Sequence, residues 1–400
     1  MTGTEGLRIL VTDGDTRSAL AATRSLGRQG HEVFVGGERT STLSAASRYS
    51  AGAIEYPSPA GHPENFVASI VAAAESLPLD VVMPMTETTT ALLARHREIL
   101  PARCILPLAA ATAIEFASDK SRVVELAREL GVPIPATVTI ASAAEATLAA
   151  GRLSFPVVVK PARSRPATGS GRTSSGVIYA SDAEELWGRL AALKPEFFPL
   201  LLQERIYGPG VGIFACYDNG QAVAFFAHRR LREKPASGGV SVLRESVAPD
   251  PQAVLHARKL LERLGWHGVA MVEFKQDSRD GSLRLMEING RFWGSLQLAI
   301  DAGVDFPAIL LDVARGLSRQ PVGSYRLGVR SRWFLGDLDA FLVTLFRRRS
   351  SLDLPPAFPS RARQILDFLH LWGPQLHYEV LRFDDPRPGL IELSRWLFKR

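Results

Sequence analysis

The stretch from Gly268 to Phe306 constrains the fold of this 400-residue chain more than any other. It reads Gly-Val-Ala-Met-Val-Glu273-Phe-Lys275, a polar turn over residues 276–282, then Leu283-Arg-Leu-Met-Glu287-Ile-Asn289-Gly-Arg291-Phe-Trp293-Gly. Two short apolar runs around a turn containing Gly281 predict an antiparallel hairpin. Glu287 and Asn289 are two apart and point to one face of a strand, where Glu273 can face them from the partner. Two carboxylates and an amide oxygen are hard ligands of the kind Mg²⁺ takes, and Mg²⁺ usually shares its shell with phosphate oxygens. Arg291 follows at once, a fixed cation where a transferring phosphoryl group needs one. The competing expectation, a solvated polar strand face, sits poorly with apolar residues on both sides.

The chain opens with a buried-strand pattern at Leu7–Thr12, a turn at Asp13-Gly-Asp15, helical spacing over Ser18–Gln29 and a second strand at His31–Val35. This βαβ order predicts a parallel sheet. The Gly-x-Gly-x-x-Gly dinucleotide fingerprint is absent after the first strand, which disfavours a nicotinamide cofactor. A helix over Pro63–Ser76 and a strand at Asp80–Pro84 lead to Thr86-Glu87-Thr88, at the carboxyl edge where open α/β sheets bind ligands. There Glu87 can meet a substrate amine or simply favour the start of a helix. Asp119-Lys120 begins the next helix, and Phe155-Pro-Val-Val-Val-Lys160-Pro is a β-branched strand ending in a lysine. The loop after it, with Gly169, Gly171, Ser174 and Ser175, has the glycines and hydroxyls that cradle phosphate. Leu200–Glu204 is a further buried strand, and Asp218-Asn-Gly220 between apolar runs signals a hairpin. His228-Arg229-Arg230-Leu-Arg-Glu-Lys234 is a basic run ending near a Gly pair, as an anion-binding edge would.

Composition excludes several classes. Hydrophobic content of 46% and charged content of 22% are those of a soluble globular chain long enough for two or three domains. The first apolar run is too short for a secretory signal, no stretch is long enough to span a membrane, and Cys104 and Cys216 lie apart in apolar surroundings. A cytoplasmic protein is expected. Residues 319–400 hold 14 Lys+Arg against 8 Asp+Glu, which accounts for the whole net charge of +6. The near-neutral remainder argues against a nucleic-acid-binding core. The tail's apolar segments with basic ends suit packing on the core or, less favoured, an anionic membrane surface.

In this order, over residues 7 to 318, the segments resemble the ATP-grasp superfamily, whose large members include carbamoyl-phosphate synthase and biotin carboxylase subunits. The resemblance rests on Asp119-Lys120, Lys160 with its glycine-rich lid, Gln203-Glu204-Arg205-Ile206, Glu273, and Glu287-Ile-Asn289-Gly-Arg291. It implies a mixed α/β and α+β chain: an N-terminal parallel α/β domain (1–113), a two-lobed ATP-grasp clamp (114–318, lid lobe about 136–203) and a helical C-terminal extension (319–400). It implies that Lys120, Lys160 and the lid residues contact ATP phosphates and that residues 203–206 meet the adenine edge through backbone groups. Glu273, Glu287 and Asn289 would hold one or two Mg²⁺ or Mn²⁺ ions, with Arg291 and Arg230 at the transferring group. His228, Arg229 and Glu87 are weaker substrate candidates. The implied activity is a ligase joining a small carboxylic acid and an amine through an acyl-phosphate; the same clamp could instead phosphorylate or carboxylate a small molecule, or only bind ATP. Many relatives form homodimers. The segment after Gly208 lacks the acidic residue that many relatives place near the ribose.

Overall fold

The computed structural model describes residues 6–163, 178–317, 321–352, 354–355 and 358–398. Gly169, Gly171, Ser174 and Ser175 lie outside the described residues.

The first sheet contains β1 (Arg8–Val11), β2 (Glu32–Gly37), β3 (Gly52–Glu55) and β4 (Val81–Met83), all parallel in the order β3-β2-β1-β4. The crossover from β1 runs to one side of the sheet and the crossover into β4 to the other. The carboxyl ends of β1 and β4 therefore flank a topological switch point, where such sheets open a ligand crevice. Two helices start there. Arg17–Arg28 is capped by Thr16, whose Oγ1 accepts from the Ala19 amide, and Glu87–Arg95 is capped by a reciprocal Thr86/Thr89 box. Asp13, held at a positive φ of 56°, accepts from the amides of Met85 and Thr86 and from Thr89 Oγ1, tying the two strand ends together.

The second sheet contains β5 (Thr137–Ile140), β6 (Val157–Pro161), β7 (Ile178–Ala180) and β8 (Leu200–Glu204), antiparallel in the order β5-β8-β6-β7. Alternate residues Val157, Val159, Leu200 and Leu202 pack with Leu186 and Leu190 of the helix Ala183–Ala191 into a core of their own.

The third sheet has seven strands: β9 (Gly210–Asp218), β10 (Gln221–Lys234), β11 (Val240–Ser246), β12 (Gly268–Gln276), β13 (Leu283–Asn289), β14 (Arg330–Arg332) and β15 (Leu376–Tyr378), in the order β13-β12-β9-β10-β11-β14-β15. Asn219 and Gly220, both with positive φ, make the β9–β10 turn. Period-two alternation feeds two cores shared with the first sheet. Leu10 and Val82 join Ile213, Ala215 and Tyr217, while Ile9, Val11 and Val81 join Phe214, Cys216 and Phe306. Apolar packing between the first and third sheets is thus continuous. Cys104 and Cys216 are buried and unpaired.

Two expectations need correcting. The basic run is not a loop edge but part of β10, which pairs with β9 as far as Arg229 and with β11 from His228 to Lys234. The C-terminal extension is not purely helical: its β14 and β15 extend the third sheet, alongside the helices Phe334–Phe346, Arg361–Leu369 and Arg387–Leu397. One cause accounts for both. Carboxylates from the extension meet the strand's cations, Asp337 pairing with Arg232 (2.5 Å) and Arg332 (2.6 Å), and Asp339 with Lys234 (2.5 Å). Further along, Asp385 pairs with the buried Arg24 at 2.8 Å, so the extension also straps onto the first domain. Among the described residues, no helix is long and apolar enough to cross a membrane.

Asp337 and Arg332 are both fully buried. Removing one partner of such a pair strands the other charge, at a cost of about 3–5 kcal/mol. Asp337→Ala is expected to lose that much stability in urea titrations; an unchanged midpoint would refute the strap.

Candidate active site

On the β12–β13 hairpin Glu273 lies directly opposite Glu287, and Met271 opposite Asn289, before the register shifts between Glu273 and Phe274. Like charges directly opposite each other destabilise a sheet unless cations answer them. Arg230 Nη2 is 2.6 Å from Glu273 Oε2, and Lys120 Nζ is 3.8 Å from Glu287 Oε2. Asn289 Nδ2 donates to Glu287 Oε1 at 2.9 Å, and Arg291 donates to Asn289 Oδ1 (3.2 Å) and the Phe292 carbonyl (2.9 Å). The two carboxylates differ as a result. Burial lifts Glu273 above the usual carboxylate range, with Arg230 opposing and Glu287 adding to the rise. Burial also pushes Glu287 upward, but Lys120, the Asn289 amide, Lys160 and Arg291 outweigh it and hold this carboxyl low.

Arg230 reaches Glu273 by crossing β9 at a glycine. A Cβ on Gly210 would stand 3.1 Å from Arg230 Cδ, so a larger residue there would press on the arginine. Gly290 has a similar role, since a Cβ would come within 2.7 Å of the Trp266 ring. The buried indole packs against this backbone and sets the position of Asn289 and Arg291 on either side.

The two lysines converge from different elements. Asp119 caps the helix Lys120–Glu129, accepting from the amides of Ser121 and Arg122, and pairs with Arg163 at 2.7 Å. The Lys120 amide donates to the Ala162 carbonyl, stitching this helix to the end of β6, where Lys160 sits. Lys160 Nζ donates to Gln203 Oε1 at 3.0 Å, and Gln203 Nε2 donates to Thr137 Oγ1 at 3.0 Å. The Gln203 side chain thus aims Lys160. Burial lowers the Lys160 ammonium, Glu287 opposing and Lys120 assisting. Over residues 204–206, the amides of Glu204 and Arg205 are committed to Ala136 and Pro156 carbonyls, and the Ile206 carbonyl accepts from Lys275 Nζ. Glu204 pairs with Arg279 at 2.6 Å, and the Arg205 guanidinium lies over the rings of Tyr179 and Tyr207.

These groups line a cavity of about 500 Å³, which takes in Lys120, Lys160, residues 203–206, Arg230, Glu273, Glu287, Asn289 and Arg291. A smaller cavity of about 130 Å³ contains Glu87, Thr90 and Ser118. Lys120, Glu287, Asn289 and Arg291 line both, forming the wall between them. Arg229 is not brought in: one residue out of phase with Arg230, it turns to the other face and pairs with Glu245 at 2.6 Å. His228 reaches the large cavity but is buried, its Nε2 sharing a 2.9 Å hydrogen bond with Ser295 Oγ and its Nδ1 unpartnered. Phe292 and Trp293 are core residues, although Trp293 also touches the cavity. Arg17, Arg244 and Lys275 line the cavity too and were missed from sequence. The rule that flags Glu87, first turn of a helix after a parallel strand, also applies to Arg17.

As a metal site, Glu273, Glu287 and Asn289 offer only oxygen donors suited to Mg²⁺. Two carboxylates and one amide oxygen leave much of an octahedral shell to other oxygens, the way Mg²⁺ is commonly bound together with phosphate.

Burial, with Arg230 and Arg244 nearby, holds the His228 imidazole well below its ordinary value, so it is neutral at physiological pH. In the unfolded chain it titrates near 6.5. As pH falls, the unfolded state takes up the proton first, so the contribution of neutral His228 is complete above about 6.5 and is lost below it, by at most about 1.4 kcal/mol per pH unit. His228→Gln is expected to flatten the fall of melting temperature between pH 6.5 and 5 relative to wild type; parallel curves would contradict a buried neutral imidazole.

Residues 196–335 match the family described as ATP-grasp in the biosynthetic pathway with Ter operon. Over 92 residues, 23% of this chain and 8% of the relative, the sequence is 37% identical to the carbamoyl phosphate synthase large chain of Rubrobacter xylanophilus. It is 29% identical over 211 residues, half of this chain, to the D-alanine–D-alanine ligase of Stutzerimonas stutzeri. The matches span 8% and 64% of these relatives, less than two thirds of either. The fold superposes with a TM-score of 0.64 and 16% identity, over 82% of this chain and 74% of the other, on the biotin carboxylase domain of Hydrogenobacter thermophilus 2-oxoglutarate carboxylase, crystallised with MgADP, ADP and bicarbonate. Residues 196–335 thus match an ATP-grasp family, and over 82% of its length the chain has the fold of a biotin carboxylase domain.

Proposed function

We propose that this chain is an ATP- and Mg²⁺-dependent carboxylate–amine ligase that forms an acyl-phosphate and releases ADP and phosphate. The observation that carries this reading is the wall of Lys120, Glu287, Asn289 and Arg291 between a large cationic cavity and a small one containing Glu87. ATP and the acid occupy the large cavity. Lys120 and Lys160 bind phosphate oxygens, and the Gln203 side chain fixes the lysine nearer the lid. Glu273, Glu287 and Asn289 hold the metal, which when bound neutralises charge on the phosphates. An oxygen of the acid attacks the γ-phosphorus as its bond to the ADP oxygen breaks, and Arg291 steadies the charge spread over the transferring group. The amine enters from the small cavity, where the Glu87 carboxylate orients it. Its lone pair attacks the acyl carbon, the C–O bond to phosphate breaks, and the amine's proton leaves with phosphate or water. No protein nucleophile is needed, and positioning with charge cancellation carries the chemistry.

The test measures ADP release from MgATP against panels of acids and amines. Stimulation that requires both is expected, whereas full turnover with an acid or bicarbonate alone would replace the ligase reading with phosphorylation or carboxylation. Glu287→Gln is expected to lower turnover by roughly 10²–10³-fold or more. Its melting temperature should fall modestly with the fold kept, because the cations that hold Glu287 ionised lose that charge. Full activity in this variant would remove Glu287 from the metal site.

A further inference from the structure

Arg17 opens the first helix at the crevice of the N-terminal sheet, and Arg244 lies on β11 of the seven-stranded sheet. Both line the large cavity. Arg17 approaches the loop beyond Arg291 closely: its Nη2 would be 3.0 Å from a Cβ on Gly294. The two guanidinium groups share one carboxylate, that of Glu379 from the C-terminal extension, which pairs with each. Arg244 is 1% exposed; its Nη1 donates to the Ser241 carbonyl at 2.6 Å, while its Nε has no hydrogen-bond partner. Arg230, the next cation along the wall, already holds Glu273 and Glu233.

Locally the charges do not close: Arg17 and Arg244 bring two guanidinium cations to the single Glu379 carboxylate. A buried cation without a full partner is costly, and a planar guanidinium with a donor to spare matches carboxylate or phosphate geometry. Burial also brings Arg17 down to about 10, with Glu392 opposing.

We infer that the acid substrate carries a second anionic group, a carboxylate or a phosphate, held by Arg17 and Arg244 beside Glu379. This rests on the ligase reading and narrows it from any small acid to one with two acidic groups. One acid group faces Arg291 and is activated, and the other anchors the molecule and fixes which end reacts.

The full chain, saturated with Mg²⁺ and ADP, is titrated calorimetrically with succinate, with butyrate as its single-charge counterpart, and with 3-phosphonopropionate. Succinate or the phosphonate is expected to bind at least tenfold more tightly than butyrate, and the tighter of the two names the anchored group. In Arg17→Gln that preference is expected to fall to near unity, with MgADP affinity unchanged. Equal or undetectable binding of all three acids, or a preference that survives in Arg17→Gln, overturns the inference while MgADP binding leaves the ATP-grasp reading standing. A protein that binds no MgADP overturns both.

Discussion

The structure depends on an unfavourable contact, the direct opposition of Glu273 and Glu287 across the β12–β13 ladder. Two carboxylates at that spacing repel, and a sheet keeps them only where cations surround them. The neighbouring elements supply those cations from four places: Arg230 over Gly210, Lys120 from a helix start, Lys160 from β6 of the second sheet, and Arg291 just past β13. The second and third sheets therefore meet at a charge cluster, whereas apolar packing joins the third sheet to the first.

The same logic extends outward through the basic strand. Arg232 and Lys234 could not lie inside a sheet uncompensated, and the acids that compensate them come from the C-terminal extension. Glu379 and Asp385 carry the pattern on to Arg17 and Arg24 of the first domain. The extension that holds the chain's whole net positive charge thus spends its acids inward, on the strands that shape the cavity.

What the sequence showed was what local periodicity encodes. Glu287 and Asn289 share a face because they are two apart, Lys160 ends a β-branched strand, and Glu87 begins a helix after a parallel strand. Strand alternation separates Arg230 from Arg229, although the basic run read as one patch conceals it. Pairings between distant residues were not legible. Arg17 and Glu379 are 362 positions apart, and β14 and β15 are three-residue strands that form only because β11 offers an edge. Nothing in the spacing of an arginine on one strand reveals which carboxylate, or which ligand, will face it.

The central claim is that the opposed carboxylates are a metal–phosphate platform. It is tested most directly by a crystal grown with Mn²⁺ and a non-hydrolysable ATP analogue, read by anomalous scattering. The account predicts a peak bound by Glu287 and Asn289, within reach of Glu273, with the analogue's phosphates completing its shell and Lys120 and Lys160 on their far side. Phosphates bound with no metal at these residues, or a metal held elsewhere, would contradict it.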